Sequence, residues 1–327
     1  MTKDIENDVT KDIENDLPLL VTVLGPTASG KTSFAVRLAL AVNGEIISAD
    51  SRQVYRGMDL GTGKDYSEYH VGGKRISYHL IDIADAGYKY SVYEYQQDFA
   101  RAWQDITGRG RQPVLCGGSG MYLEAVLGAY ELVNVPHNHA LRKELHDKSD
   151  AELAGMLSSL EKLHNVSDTS SRNRLIRAIE IAHYREKHGH SGFSFPRFKP
   201  VILGVAIGRD ERRQCITARL DARLREGLVE EVERLLACGI APADLLFYGL
   251  EYKYVTMYVT GDIPFGEMRD RLNTAIHQFA KRQMTWFRKM ERSGYQIHWI
   301  DHALSIERKV ELAQEIISRY RKSARPA

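Results

Sequence analysis

The sequence predicts an α/β fold, a parallel sheet flanked by helices and interrupted by a helical insertion domain. Three observations carry that reading. Short apolar runs alternate with helix-spaced segments over the first 120 residues. The stretch 121–197 then reads as helix alone, and "VILGVAIGRD" at 201–210 returns to strand character. Finally, Gly25-Pro26-Thr27-Ala28-Ser29-Gly30-Lys31-Thr32 fits G-x-x-x-x-G-K-[ST], so the sheet is of the P-loop-containing kind.

Element by element, residues 1–16 are two copies of T-K-D-I-E-N-D, too short and polar to bury a core, and read as a disordered repeat tail. Leu19–Leu24 is a strand, and "TSFAVRLALAVN" is a helix closing on Asn43-Gly44. "EIISAD" (45–50), "YHLIDI" (78–83) and "QPVLCGGSG" (112–120) read as further strands, with a helix in "SVYEYQQDFARAWQDITGRG" before the last. Residues 17–122 are thus the first part of the core and 123–197 the insertion. Residues 198–327 complete the core with a strand at 201–208, a helical stretch at 211–239, two further helical stretches, a short strand at 295–301 and a basic terminal helix.

Apolar content of 43% and charged content of 27% are ordinary for a globular protein, and no apolar run reaches the length of a membrane span. Without a signal-peptide pattern the expected setting is cytoplasmic. Net charge is +2, but residues 1–16 hold two lysines against six carboxylates, so the rest carries 43 basic and 37 acidic residues. That excess permits a polyanionic partner without demanding one. Cys116, Cys215 and Cys238 have neither paired nor metal-type spacing.

Chemistry concentrates in the glycine loop. Its backbone N–H groups and the following helix N-terminus would wrap phosphates, Lys31 would add a full charge and the Thr32 hydroxyl would ligate Mg²⁺. Asp50, where the second strand ends beside the loop, could ligate magnesium through water, cap a helix or act as a base. Asp82 is the candidate for the second carboxylate of a hydrolysing ATPase, yet the strand "PVLC" ends in Gly117-Gly118-Ser119. Two helices are basic. One carries Arg172, Arg174 and Arg177; the other, from Arg269 to Arg292, has seven basic and two acidic residues with Phe279, Trp286 and Phe287 among them. Either is a solvated face or a nucleic-acid contact.

"GPTASGKT", "GEIISADSRQVYRGMDLGTGK", "HLIDI", "GGSGMYLEAVL", "RLIRAIEI" and "AKRQMTWFRK" occur in the order that resembles tRNA dimethylallyltransferases (tRNA isopentenyltransferases), from about Leu19 to about Trp299. The resemblance implies transfer of a dimethylallyl group from dimethylallyl diphosphate to N6 of adenosine-37 in the anticodon stem-loop of tRNA, with a flipped-out base. It implies Asp50, Thr27 and Lys31 as catalytic residues, with Asp50 taking the N6 proton, and Gly25 to Thr32 (Pro26, Ala28, Ser29 and Gly30 included) plus Lys253 on the diphosphate. Mg²⁺ is the implied cofactor, with Thr32 its protein ligand. Asp50, Ser51, Arg52, Gln53, Ser119, Asn173, Arg174, Leu175, Ile176, Arg177, Lys281 and Arg282 fall where the family contacts tRNA.

Three positions depart from the pattern. A usual Gly-Tyr-Arg reads Glu251-Tyr252-Lys253, a usual Thr-Arg reads Ile276-His277, and Ser119 stands where Thr is common. Lysine keeps the charge but loses the bidentate fork. The Cys/His spacing of a eukaryotic C-terminal zinc finger is absent, which favours a bacterial-type enzyme, expected as a monomer. The competing readings are prenyl transfer to free AMP or ATP, a P-loop small-molecule kinase, and a tRNA-binding protein without catalysis.

Overall fold

In the computed structural model, which describes residues 17–130, 132–160, 171–188 and 194–322, the first apolar run is strand β1 (Leu19–Leu24), buried at every position. Helix α1 (Lys31–Ala41) follows the glycine loop and ends where Asn43 takes a positive φ of 54° ahead of β2 (Gly44–Ala49). A 3₁₀ turn at Tyr66–Tyr69 precedes the small antiparallel pair β3 (His70–Val71) and β4 (Lys74–Arg75). Strand β5 is only Tyr78–His79, not the six residues the apolar run suggests. Leu80 and Asp82 adopt positive φ values of 63° and 57°, which no continuing strand allows.

Helix α2 (Val92–Gly108) starts at a full capping box between Ser91 and Glu94. After β6 (Gln112–Gly117) comes α3 (Gly120–Leu127). One compact unit is Tyr130–Ser194, a narrower span than the 123–197 read from the sequence, because α3 packs on α2. That unit holds α4 (His139–His146), α5 (Asp150–Leu160) and α6 (Arg172–His188), closed over Leu145, Leu153, Leu157, Leu175, Ile176 and Ile179. The repeat at 1–16 lies outside the described residues.

The other unit resumes with β7 (Lys199–Ala206). The helical stretch read at 211–239 consists of two helices, α7 (Arg209–Glu226) and α8 (Leu228–Ala237). Gly227 separates them at φ 106°, where a side chain would cost about 1–2 kcal/mol. The short α9 (Pro242–Leu245), α10 (Leu250–Val259) and the long α11 (Phe265–Arg292) lead to β8 (Ile297–Asp301) and the terminal α12 (Ile306–Lys322).

The six-stranded sheet has the order β5-β2-β6-β1-β7-β8, and its pairings are all parallel. Alternation along β1 divides the core. Val21 and Val23 pack with Phe34 and Leu38 of α1 and Ile317 of α12. Leu20 and Leu24 face Phe99 and Trp103 of α2, Leu123 of α3 and Phe287 of α11. A third cluster joins Val54 and Tyr55, just beyond β2, to α7, α8, α10 and α11. Helices therefore cover both faces, and a further helical layer stands against the segment that follows β2. Among the described residues no helix is long and apolar enough to cross a membrane.

Candidate active site

Register brings the chemistry together. Leu24 and Ala49 both pair with Gly117, so β1, β2 and β6 end level. The residues that come next are Gly25, Asp50 and Gly118-Ser119, at the carboxyl edge where open α/β sheets bind ligands. Gly117 has to be glycine, since a Cβ there would lie 2.2 Å from the Ala49 carbonyl oxygen.

The loop is curled by left-handed residues, Ala28 at φ 61° and Gly30 at φ 73°. Gly30 occupies the cap position of α1 and supplies no side-chain hydrogen bond, so the first helical N–H groups remain available to an anion. Ser29 is buried with its hydroxyl unpartnered. Lys31 has its pKa lowered by burial, partly offset by Cys116 and Asp50. The Cys116 thiol is itself pushed up to about 12 by burial, which leaves it inert.

Gln283 of α11 ties the loop down: its Oε1 accepts the Thr27 N–H at 2.8 Å and its Nε2 donates to the Gly118 carbonyl at 2.9 Å. Gly118 is the neighbour this needs, because a Cβ would sit 2.4 Å from Nε2. Gln283 lies inside the "AKRQMTWFRK" motif, but nothing in the string singles it out from Lys281 and Arg282, both exposed on the same helix.

Asp50 caps a turn instead of a helix, its Oδ1 accepting the Arg52 N–H at 2.9 Å. Among the described residues Oδ2 takes no hydrogen bond. Ser119 accepts the Ser51 N–H at 3.1 Å, and Ser48 donates to Gln53, which donates in turn to the Gly63 carbonyl at 3.0 Å. Asp50, Ser51, Arg52, Gln53 and Ser119 thus form one connected rim beside the glycine loop.

A small cavity opens on the other side of Thr27 and Ala28, lined also by Arg219, Arg223, Glu251 and Ile276. Arg223 is buried at 8% exposure, its Nη2 makes no hydrogen bond among the described residues and lies 3.9 Å from Asp65, and burial together with Arg219 lowers its pKa. Glu251 is shifted upward by burial against the pull of Arg223. Neither arginine stands out in the sequence, where α7 reads as a charged surface helix. Their spacing at i and i+4 is the signal, since it sets both on the face that carries Ile216 and Leu220.

Three expectations need correction, those for Lys253, for Asp82 and for the pair Leu175 and Ile176. Lys253, expected on the diphosphate, is exposed with its Nζ 5.4 Å from the Tyr254 ring, and Glu251 lines the cavity in its stead. Two residues apart on one helix, they face different ways. His277, where the pattern usually has Arg, has its Nε2 3.4 Å from the Thr217 hydroxyl and a pKa lowered by burial and by Arg213 and Arg212, as suits a packed histidine. Asp82 is three strands from β1 and accepts from Lys64 and Tyr66, so it is no partner to the loop. In the other unit, Leu175 and Ile176 are core residues, unavailable to a surface partner.

In that unit Asn173 and Arg174 are exposed. Arg177 is engaged internally, donating to Glu180 at 3.1 Å and to the Val135 carbonyl at 2.6 Å. No group of three His, Cys, Asp or Glu side chains is placed to hold a metal among the described residues.

The family model described as "IPP transferase" matches residues 53–290. A protein named tRNA dimethylallyltransferase 2 from Bacteroides fragilis is 56% identical over 92% of this chain and 98% of its own length. Another, tRNA dimethylallyltransferase 1 from Parabacteroides distasonis, is 52% identical over 91% and 97%. Among solved structures, the tRNA isopentenylpyrophosphate transferase of Bacillus halodurans superposes with a TM-score of 0.69 at 31% identity, covering 94% of this chain and 98% of that one. A eukaryotic dimethylallyltransferase acting on tRNA reaches 0.73 at 20% identity over 92% and 80%, a likeness of fold. With a glycine loop, a carboxylate rim and an arginine-lined cavity at one sheet edge, and with relatives this similar along nearly the whole chain, the protein belongs to the IPP transferase family and is a prenyltransferase.

Proposed function

We propose that the chain transfers the dimethylallyl group of dimethylallyl diphosphate to N6 of adenosine-37 in tRNA, releasing diphosphate and N6-(dimethylallyl)adenosine. The convergence of the Lys31 loop, Asp50 and the Arg223 cavity supports this reading, because a diphosphate leaving group and a proton acceptor are what the reaction requires. The bond from N6 to the allylic carbon forms as the carbon–oxygen bond to diphosphate breaks. Charge developing on the leaving oxygens meets Lys31, the N–H groups of Gly30 to Thr32, and Arg223 with Arg219. Asp50 takes the proton from N6, its Oδ1 fixed by Arg52 N–H and Oδ2 left to accept. Thr27 belongs to the loop and also lines the cavity, so it adjoins both phosphate-binding features.

Among the described residues, a donor set of one hydroxyl without a carboxylate cluster fits an ion carried mainly by phosphate oxygens. Thr32 would hold Mg²⁺ there, and the ion would neutralise charge on the diphosphate. Asn173 and Arg174 on the helical unit, with Lys281 and Arg282 on α11, supply exposed groups for RNA phosphates.

The deciding experiment is incubation of the purified protein with Mg²⁺, dimethylallyl diphosphate and either unmodified tRNA or AMP, followed by nucleoside analysis. Prenylated adenosine should appear from tRNA alone. Product confined to AMP would replace the tRNA reading with a free-nucleotide one, and a strict requirement for ATP would indicate a kinase.

A further inference from the structure

Next to the rim lies an aromatic surface that the reaction itself does not use. Phe247 is 51% exposed, and Leu246 and Tyr88 beside it are 43% and 51% exposed. The Arg52 guanidinium lies 5.4 Å from the centre of the Phe247 ring and the Lys89 ammonium 5.9 Å from it. Isolated exposed apolar residues are ordinary on protein surfaces, but a large exposed aromatic with two cations within 6 Å of its centre is not an isolated one.

The patch is rigid. Tyr248 is fully buried, meets Tyr55 edge-on at 4.6 Å, accepts the Gly87 N–H at 2.6 Å and donates to the Tyr88 carbonyl at 3.1 Å. That single side chain locks the segment carrying Phe247 against the one carrying Tyr88 and Lys89. Gly249 turns the chain into α10 at φ 136°, a backbone conformation that favours glycine, and Arg52 lies alongside it. Arg52 in turn holds Asp50 through its N–H. The ring is therefore one residue removed from the proposed base. The nearby carboxylates are engaged elsewhere: Asp85 pairs with Arg56, and Glu94 with Ser91 and Tyr88.

We propose that Phe247 is a stacking platform for an unpaired base of the RNA substrate adjoining the one that enters the site, with Arg52 and Lys89 taking the flanking phosphates. This deepens the tRNA reading above and rests on it. The chemistry is that of single-stranded RNA recognition: a flat π surface serves any base and the cations serve the backbone. A base flipped out of an anticodon loop leaves its neighbours unstacked, and a rigid ring at the mouth restores one of those contacts.

The test titrates the full-length protein with an anticodon stem-loop RNA carrying 2-aminopurine on either side of the target adenosine. Wild type should quench one of the two probes. Phe247→Ala should abolish that quenching and weaken binding about tenfold or more, whereas Phe247→Trp should preserve both. Lys89→Ala should lower the slope of log affinity against log salt by about one. Neither change should move the KM for the diphosphate. Phe247→Ala binding the RNA within twofold of wild type, with the quenching intact, would overturn the proposal. So would Phe247→Trp losing affinity as Ala does, which would mark a shape-specific protein contact. Quenching depends on binding alone, so a wild-type protein that binds RNA through Phe247 yet transfers no prenyl group would refute the proposed reaction and leave the platform standing.

Discussion

Gln283 and Thr27 are joined across 256 positions of sequence by a 2.8 Å hydrogen bond that uses a backbone N–H of the glycine loop. A loop that grips phosphates keeps most of its N–H groups for the ligand; here one is given to a side chain of α11. The loop's shape thereby depends on a helix contributed from the far end of the chain. Replacing Gln283 by Ala strands the half-buried Thr27 N–H and the buried Gly118 carbonyl together, and the buried carbonyl alone costs about 1–3 kcal/mol when left without a partner. The expected outcome is a lower melting temperature and a KM for dimethylallyl diphosphate raised about tenfold. A donor KM equal to wild type would mean that the loop holds its form unaided.

Asp50 and Lys31 should separate kinetically. Asp50→Ala removes the proton acceptor and should lower kcat about 10²–10⁴-fold while donor affinity changes little. Lys31→Met should act on both, because the charge it supplies is present in the bound diphosphate and grows as the bond breaks. Single-turnover rates and donor binding measured on the two variants distinguish these patterns. A rate for Asp50→Ala within about tenfold of wild type would remove it from the role of base.

Arg223 offers the converse. It is a buried cation beside a second one, its Nη2 makes no hydrogen bond among the described residues and is only 3.9 Å from Asp65, and such an arrangement is unfavourable in the empty protein. Arg223→Met keeps the volume and removes the charge. Thermal melting should show equal or greater stability, and steady-state kinetics should show the donor KM rising about tenfold or more. A variant that unfolds instead would identify Arg223 as a packing residue whose contact 3.9 Å from Asp65 matters more than any ligand.

The strand–loop–helix of Leu19 to Ala41 could be read from the string because its signals are local: an apolar run, a glycine pattern and helical spacing. What escaped was decided at a distance. "YHLIDI" is apolar enough for a strand, yet Asp82 turns to meet Lys64 and Tyr66, and Leu80 and Asp82 take positive φ in doing so. Gly227 splits a segment whose periodicity runs unbroken on either side. In the site, Asp50, Lys31 and Gln283 lie in motifs, though Gln283 has no local sign of its role, while Arg219 and Arg223 reach it from α7, and their placement becomes visible only once the third apolar cluster closes. Lys253 shows the reverse error. Its motif position suggested a phosphate contact, and helix geometry gives the cavity to Glu251.

Glu180 ties the helical unit together and makes its stability depend on acid. Burial alone would raise its pKa, but the Arg142 fork, with both bonds at 2.7 Å, the Asn138 N–H at 2.9 Å and Arg177 at 3.1 Å reverse that and hold it at about 2. With the folded value below the ordinary 4.5, the carboxylate stabilises the unit fully above about pH 4.5 and loses that contribution as pH falls toward 2. Linkage over that interval corresponds to about 3 kcal/mol. Hydrogen exchange of the α6 amides in the full-length protein, for wild type and Glu180→Gln, reads the effect locally. The protection lost on substitution should be large at pH 7, shrink steadily from pH 5 to pH 3, and be matched in part by Arg142→Ala. A difference that stays constant across that range would show that Glu180 acts through shape alone. Arg177→Ala should loosen the same amides by removing one of Glu180's partners, so its effect on RNA binding has to be judged beside that loss of protection and against Arg174→Ala.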